Sequence, residues 1–290
     1  MYLDVALPDD DRRQRLFEGD FFQYAALPSV QNLCQFARSL AIEAFGDRDP
    51  EFAQFTMPVS DYVPIIGALK RKFTNHPESR RLVQAILSEL GCDLAETYFD
   101  VPRLRVITAG GYLTSGMGYA YQLHRDIWYS SPEAQINWWL PVYDVVPERT
   151  LRFFPDYYTV PVANSSADFD YGDWTIVGRE QAATMITADT RQHPLPIELI
   201  DRSRDLLLVG PQATLFNFSA VHLHESVPNT TDRTRFSIDL RTVHRGDLIQ
   251  GRRAPNVDGR ARGTTLGDFL RGTDFAPLPT DFIAEILAKR

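Results

Sequence analysis

The chain has 290 residues, of which 44% are hydrophobic and 23% are charged, an ordinary composition for a folded globular protein. Its formal net charge of −8 would repel nucleic acid and anionic membrane surfaces, so we expect neither as a partner. The sequence has no apolar run near the roughly 18 residues of a membrane helix and no signal-peptide pattern at its N-terminus. We therefore expect a cytoplasmic protein with a small-molecule partner.

The N-terminal part of the chain has the apolar spacing of helices. One helix is predicted over 29–45, with Ser29 as its N-cap, and another over 78–90. A shorter helix is predicted over 60–73, although Pro64 weakens it.

From about residue 100 the pattern changes to short strands separated by Gly-, Pro- or Asx-rich segments. Strands are predicted at 103–108, 134–143, 150–154, 206–208, 213–221 and 235–243. The Arg/Gly/Asp-rich stretch 246–263 is long enough to be a flap or a surface excursion. Two short helices are predicted after it, at 266–271 and 281–289.

This order of elements indicates an α+β fold. We predict a single domain over 1–290, with a helical part (about 1–99), a β core (about 100–245) and a tail (246–290). One antiparallel double sheet would be buttressed by helices from both ends. Cys34 and Cys92, far apart in sequence, are predicted to be two buried reduced thiols, and a disulfide between them is the alternative. Nothing in the sequence indicates an oligomeric state.

One short motif has the spacing of metal ligands. His124 and Asp126 are alternate residues, so on an extended strand both side chains point to the same side and can reach one ion. A mononuclear non-haem iron site takes two His and one carboxylate, which leaves the opposite face of the metal open. Taken alone, the pair is equally compatible with a surface turn.

A second segment supplies the remaining groups. An apolar strand runs into His222 and His224, and Arg235 and Ser237 follow on the returning strand. An arginine and a hydroxyl suit bidentate binding of a carboxylate. The two histidines compete as metal ligand, and the offsets to Asn229 and Arg235 favour His224. His222 would then line the pocket, orient substrate or be a buried imidazole.

These residues resemble the closing pattern of the phytanoyl-CoA hydroxylase-like branch of the iron(II)/2-oxoglutarate dioxygenases. The pattern, His-x-Ser-x-x-Asn followed by Arg-x-Ser, matches His224, Ser226, Asn229, Arg235 and Ser237. The stretches 137–145 and 150–155 also resemble the branch, and the likeness covers about residues 100–245. Many relatives have Gly-Ser-His at 156–158, where this chain has Asp-Tyr-Tyr, so no substrate is carried over.

The resemblance implies a double-stranded β-helix, also called a jelly roll, with Fe(II) held by His124, Asp126 and His224. It also implies 2-oxoglutarate as cosubstrate, with its far carboxylate on Arg235 and Ser237, and O2 as oxidant. The reaction would be hydroxylation, desaturation or cyclisation of a small molecule, such as an amino-acid-like compound or a natural-product intermediate. Halogenation is disfavoured, because halogenating relatives lack the carboxylate that Asp126 supplies.

Several other polar or aromatic residues are candidates for the site. Gln135 and Asn137 share a strand face with Trp139 and could contact cosubstrate or substrate, or lie on the sheet surface. Trp139 is expected in the core or the pocket wall. Arg241 shares a face with Arg235 and could meet a substrate carboxylate, although an exterior ion pair is favoured. Arg152 has the same two interpretations.

Two other classes of protein remain open from the sequence. A binding or sensor protein could retain the barrel without turnover. A zinc-dependent hydrolase could use the same fold, but no further pair of residues with zinc-ligand spacing is visible.

Overall fold

The computed structural model describes residues 1–25, 27–113, 122–178 and 193–289. No helix in these ranges is both long and apolar enough to cross a membrane. The described helices of six residues or more are α1 (Asp9–Phe17), α2 (Pro28–Phe45), α3 (Val59–Asn75), α4 (Pro77–Glu89), α5 (Arg245–Gln250) and α6 (Thr280–Ala288).

The start of α2 differs from the sequence prediction. Its N-cap is Leu27, and Pro28 occupies the first helical position, where its missing N–H costs no hydrogen bond. Ser29 makes no cap, since its hydroxyl donates to Glu89 of α4 and its backbone N–H donates to the same carboxylate at 3.0 Å. The prediction of Ser29 as N-cap was therefore wrong, and the residue joins two helices instead.

The strands are short. In chain order they are β1 (Tyr2–Leu3), β2 (Phe22–Tyr24), β3 (Thr97–Phe99), β4 (Arg103–Ile107), β5 (Ile136–Pro141), β6 (Leu151–Phe153), β7 (Leu206–Leu207), β8 (Leu215–Ser219), β9 (His224–Ser226), β10 (Arg235–His244) and β11 (Leu270–Arg271). The helix predicted over 266–271 is absent. A single 3-10 turn at Leu266–Asp268 precedes β11, because Gly267 weakens the helix and β11 pairs with β3.

Two sheets make up the β structure. The large sheet has the order β1-β2-β8-β5-β10-β3-β11, and β4 also pairs with β10. The small sheet has the order β7-β6-β9. All these pairs are antiparallel except β1 with β2. The α+β class with a large antiparallel sheet is therefore confirmed.

The two faces of the large sheet bury different groups. Trp138 and Leu140 of β5 belong to the main core, which also contains α2, α3 and α4 side chains. Trp139, on the opposite face, packs in a second core with Phe216 of β8 and Phe153 of the small sheet. Strand alternation thus directs one side of β5 toward the helices and the other toward the space between the two sheets.

The stretch 246–263, predicted to be a flap or a surface excursion, packs against the core. The segment begins with α5, and Ala254 is 1% exposed. The side chain of Asp258 accepts hydrogen bonds from Arg125, Trp128 and the backbone N–H of Val162. A carboxylate that satisfies three donors holds this segment in place, which contradicts the flap. Most residues of 251–263 are exposed or half-buried, which agrees with the other prediction, a surface excursion. Cys34 and Cys92 are buried free thiols, as predicted.

Candidate metal centre

His124 and His224 face each other across an antiparallel bridge. The backbone N–H of each donates to the carbonyl of the other, both at 2.9 Å. Residues paired in this way project their side chains to the same side, and the two imidazole centroids lie 4.4 Å apart. Residues a hundred positions apart in sequence are thereby brought together.

Each of the two rings also contacts a backbone carbonyl through its Nδ1 atom. Nδ1 of His124 lies 2.7 Å from the carbonyl of Gln122, and Nδ1 of His224 lies 2.9 Å from the carbonyl of His222. A carbonyl can only accept, so each Nδ1 donates to it, and in a neutral ring Nε2 is then the nitrogen with the lone pair that a metal needs. Burial and the neighbouring His124 lower the pKa of His224 to about 4, which keeps this ring neutral near pH 7.

Asp126 completes the group. One carboxylate oxygen, Oδ2, accepts from Gln135 Nε2 at 3.1 Å and from Asn137 Nδ2 at 2.7 Å. The other, Oδ1, lies 3.3 Å from Nε2 of His124. Burial raises the pKa of Asp126, but the adjacent His124 ring and the charge of Arg241 outweigh burial and hold that pKa well below its usual range.

The donor set fits a divalent transition metal. One ligand atom from each of His124, Asp126 and His224 lies within 4.8 Å of the other two, and all three residues are buried. Two ligands held about 2.1 Å from one ion at right angles are roughly 3 Å apart, close to the spacing of the Asp126 and His124 atoms. Two neutral imidazoles and one carboxylate on one side of an ion form the facial set of non-haem iron sites.

His222 is not part of this group. Its ring is 1% exposed and packs 4.2 Å from the ring of Phe21 and 4.6 Å from that of Tyr158. Neither ring nitrogen has a hydrogen-bond partner of normal geometry among the described residues. Burial, followed by the neighbouring His224, lowers the pKa of His222 well below its usual value. Of the two competing histidines, His224 is therefore the one beside Asp126.

A cavity of about 550 Å³ opens beside the three residues, between the two sheets. We call it the arginine cavity, because the side chain of Arg235 lines it. The same lining includes Asn137 and Trp139 from β5 and Ser226 from β9. Asn137 and Trp139 thus lie where the sequence placed them, on a common face toward the site.

Among the residues that the structure describes, Arg235 is a buried cation without a carboxylate partner. It is 4% exposed, and its guanidinium donates to the carbonyl of Thr150 at 2.9 Å and to Oγ of Ser226 at 3.4 Å. No carboxylate within the described ranges lies within 4 Å of it, and its Nε has no partner there. Burial, together with the charge of Arg105, lowers the pKa of Arg235 to about 10. Oγ of Ser237, two residues along β10, is likewise buried without a partner in those ranges.

A row of alternating charges crosses the same sheet face. Arg241 lies 3.1 Å from Asp100, 3.6 Å from Asp126 and 3.8 Å from Asp239. Nη2 of Arg105 donates to Asp239 at 3.0 Å. Arg241 therefore belongs to a partly buried network beside the candidate metal ligands, whereas an exterior ion pair was favoured from sequence. Arg105 and Asp239 were missed, although the Arg-Leu-Arg alternation of β4 signals two charges on one face.

Arg152 does not line the arginine cavity. On β6 its neighbours Leu151 and Phe153 face the core between the sheets, so its own side chain points to the other side. There it pairs with Asp205 at 2.8 Å and Glu225 at 3.2 Å. The predicted substrate contact of Arg152 has no support in this geometry, since strand alternation directs the side chain away.

Arg125, between two of the metal-binding candidates, anchors their segment. It is fully buried, and its guanidinium donates to Asp258 at 3.0 Å and to the carbonyls of Val221, Tyr157 and Val160 at 2.5, 2.7 and 2.9 Å. Through these hydrogen bonds, Arg125 links its own segment, and the segment that leads from Val221 into His224, to the C-terminal region. This role was missed from sequence. The spacing did indicate it: if His124 and Asp126 point to one side, the residue between them must point to the other.

No protein-family model and no curated protein matches the chain. Solved structures resemble it weakly. EvdO2 from Micromonospora carbonacea var. aurantiaca, complexed with 2-oxoglutarate, is 13% identical over 83% of this chain and 93% of its own (TM-score 0.45). The epimerase SnoN, in complex with Fe3+, alpha ketoglutarate and nogalamycin RO, is 13% identical over 81% and 85% (TM-score 0.43). The carbocyclase SnoK from nogalamycin biosynthesis is 12% identical over 95% of each chain (TM-score 0.41). Likenesses this weak carry no weight for the function.

Proposed function

We propose that this chain is an iron(II)- and 2-oxoglutarate-dependent oxygenase of the phytanoyl-CoA hydroxylase-like branch, built on a double-stranded β-helix. Its substrate would be a small organic molecule such as a natural-product intermediate. The observation that carries the proposal is Arg235, a buried guanidinium without a carboxylate partner in the described ranges. Its side chain lines the same cavity as His124, Asp126 and His224.

A buried charge is costly unless an opposite charge accompanies it. An anion that enters the arginine cavity would therefore be stabilised by Arg235, and the hydroxyls of Ser226 and Ser237 could donate to the same group. A ligand that also reaches the metal needs a second anionic end. A short dicarboxylate with a metal-chelating oxo group satisfies both requirements, and 2-oxoglutarate is such a molecule.

The chain's own residues would hold and shield these groups. His124, Asp126 and His224 would bind iron, while Gln135 and Asn137 fix the orientation of Asp126. Bound there, iron with 2-oxoglutarate and O2 would supply the oxidising chemistry, in which the oxoacid is decarboxylated to succinate. Trp139, Leu151 and Phe218 line the cavity with apolar surface, which limits the access of water.

The test is succinate formation from 2-oxoglutarate by protein loaded anaerobically with Fe(II) and then exposed to O2. We expect succinate only when iron, oxoacid and O2 are all present, and none from the His224→Ala variant. Binding of 2-oxoglutarate without any succinate would identify a binding protein. Hydrolytic activity of the zinc-loaded protein without oxoacid or O2 would identify a hydrolase. Either result would contradict the proposal.

A further inference from the structure

Arg241 lies beside a candidate metal ligand without being one itself. On β10 it is the register partner of Asn137 on β5, so both side chains project from the same face of the large sheet. Asn137 donates to Oδ2 of Asp126, and Nε of Arg241 lies 3.6 Å from that same oxygen. A neutral amide and a cation therefore reach one carboxylate oxygen, while the other, Oδ1, lies toward His124.

Asp100 holds Arg241 in this position through its side chain and its backbone. Oδ1 of Asp100 accepts from the backbone N–H of Arg241 at 2.7 Å, and Oδ2 accepts from Nη1 at 3.1 Å. The backbone N–H of Asp100 donates to the carbonyl of Arg241 at 3.0 Å. Asp100 is 2% exposed. Arg241 is thus anchored on one carboxylate and reaches a second one, Asp126, at longer range.

The contact between Arg241 and Asp126 is one of charge rather than a hydrogen bond. A separation of 3.6 Å lies outside the normal N–H···O range, but two charges still interact over it, and more strongly where burial reduces screening by water. Asp126 is 6% exposed, so its surroundings screen little. A guanidinium stays protonated in proteins. Any ion that Asp126 binds is therefore next to a permanent positive charge.

A permanent cation beside a metal site discriminates between oxidation states of the metal. It repels a trivalent ion more strongly than a divalent one, by one further unit of charge, and so favours the divalent state. The carboxylates that surround Arg241 act in the opposite direction, because they attract the trivalent ion more strongly. These are Asp100, its anchor, and Asp239 at 3.8 Å. The sign of the effect on the metal therefore differs between Arg241 and Asp100.

We propose that Arg241 is a positioning residue of the metal centre, which acts through Asp126 to keep bound iron in the ferrous state. Asp100 fixes its place and offsets part of its charge. Fe(II) is the state that the proposed oxygenase needs, and Arg241 raises the potential of the Fe(III)/Fe(II) couple in its favour. This inference rests on the proposed function for the identity of the metal, but its test needs neither 2-oxoglutarate nor a substrate.

The experiment is a mediated redox titration of the full-length protein, loaded with one iron per chain and kept under argon. One electron passes between each iron and the mediator, and the ferric electron paramagnetic resonance signal gives the ratio of the two states. We expect Arg241→Gln to raise the ratio of ferric to ferrous affinity about tenfold, which lowers the potential by about 59 mV. Arg241→Lys keeps the charge and should restore most of the wild-type potential.

A second variant distinguishes charge from structure. Asp100→Asn removes a negative charge from the same contact that Arg241→Gln breaks. An effect of charge predicts shifts of opposite sign: the potential should rise in Asp100→Asn and fall in Arg241→Gln. A purely structural role predicts shifts of the same sign, because both substitutions loosen one contact.

Arg103→Gln is the matched control. Arg103 pairs with Asp100 from the neighbouring strand β4, and no ion pair joins it to Asp126 in the described part of the chain. Its substitution removes the same charge one carboxylate further from the metal. The potential should therefore fall by less than half as much as in Arg241→Gln.

Two results would overturn the inference: an unchanged potential in Arg241→Gln, or shifts of the same sign in Arg241→Gln and Asp100→Asn. Should Arg241→Gln bind no iron, the rise expected in Asp100→Asn becomes the test, and its absence would overturn the inference. A wild-type protein that binds no iron would contradict the proposed function itself. Bound iron whose potential does not depend on Arg241 would remove only this inference.

Discussion

Asn137 donates a 2.7 Å hydrogen bond to Oδ2 of Asp126, the carboxylate oxygen that faces away from His124. The amide thus occupies one oxygen and leaves the other toward the imidazoles. From sequence, Asn137 was a candidate for contact with cosubstrate or substrate, with the sheet surface as the alternative, and it does line the arginine cavity. Its hydrogen bond to Asp126 adds a role in orienting a metal ligand.

Substituting Asn137→Ala should therefore weaken metal binding more than cosubstrate binding. Loss of a group that orients a metal ligand typically costs 10- to 100-fold in metal affinity. Competition with a fluorescent chelator gives the metal Kd, and titration of the metal-saturated variant gives the 2-oxoglutarate Kd. An unchanged metal Kd with a raised 2-oxoglutarate Kd would restore the role expected from sequence.

His222 and His224 provide a matched pair of variants, since they lie two residues apart and both are buried. We expect His224→Ala to abolish stoichiometric iron binding, because it removes one of three ligands. His222→Ala should retain one iron per chain and lose stability, because its ring fills space beside Phe21 and Tyr158. Metal analysis of folded protein measures both, and the opposite pattern would reverse the assignment.

Arg235→Gln should separate ligand binding from stability. The unliganded variant should be no more than about 1 kcal/mol less stable than the wild type. It loses one backbone hydrogen bond, but it also loses a buried charge that no carboxylate of the described part of the chain accompanies. Saturating 2-oxoglutarate at 100 times its Kd should stabilise the wild type by about 2.7 kcal/mol and the variant far less. Urea unfolding with and without 2-oxoglutarate measures the stabilisation of each protein by the ligand. Equal stabilisation of the two proteins would remove Arg235 from the binding site.

Asp258→Asn should destabilise the unliganded protein by about 3 to 5 kcal/mol, because it leaves the fully buried Arg125 without its counter-charge. The control is Asp156→Asn, which breaks the exposed pair with Arg204 and should cost less than about 1 kcal/mol. Equilibrium urea unfolding compares them. Similar losses in both variants would show that the buried pair does not stabilise the ligand segment.

Cys34 and Cys92 should resist thiol reagents in the native protein. Burial raises the pKa of Cys34 to about 12 and also raises that of Cys92. A raised pKa leaves almost no reactive thiolate at pH 8. Ellman's reagent should therefore detect no thiol before unfolding and two in denaturant. Rapid labelling of the native protein would contradict this.

The parts of the fold that repeat a pattern could be predicted from sequence, and the parts set by a distant partner could not. The ten residues of β10 follow the predicted strand within one residue, because polar and apolar residues alternate along most of it. The two residues of β11 leave no such signal, and they form a strand only because β3 lies beside them. Ser29 does not cap α2 for the same reason, because its hydroxyl hydrogen-bonds with the distant Glu89 of α4 instead.

The candidate site also has parts that could be predicted from sequence and parts that could not. The spacing of His124 and Asp126 and the offsets around His224 were readable, because they reflect local geometry. The hydrogen bonds of Gln135 and Asn137 to Asp126 were not, since they depend on how β5 packs beside the turn that begins at Asp126. The pairing of Arg125 with Asp258 spans 133 positions, and no sequence period links the two.

That long-range pairing bears on how the protein is made. A nascent chain that has emerged from the ribosome only as far as β10 already carries all three side chains of the proposed metal site, but it lacks the carboxylate that neutralises Arg125. During synthesis, the segment that holds His124 and Asp126 would gain this stabilising pair only after Asp258 emerges. Shortening the chain at its C-terminus would therefore harm metal loading even though it removes none of the ligands.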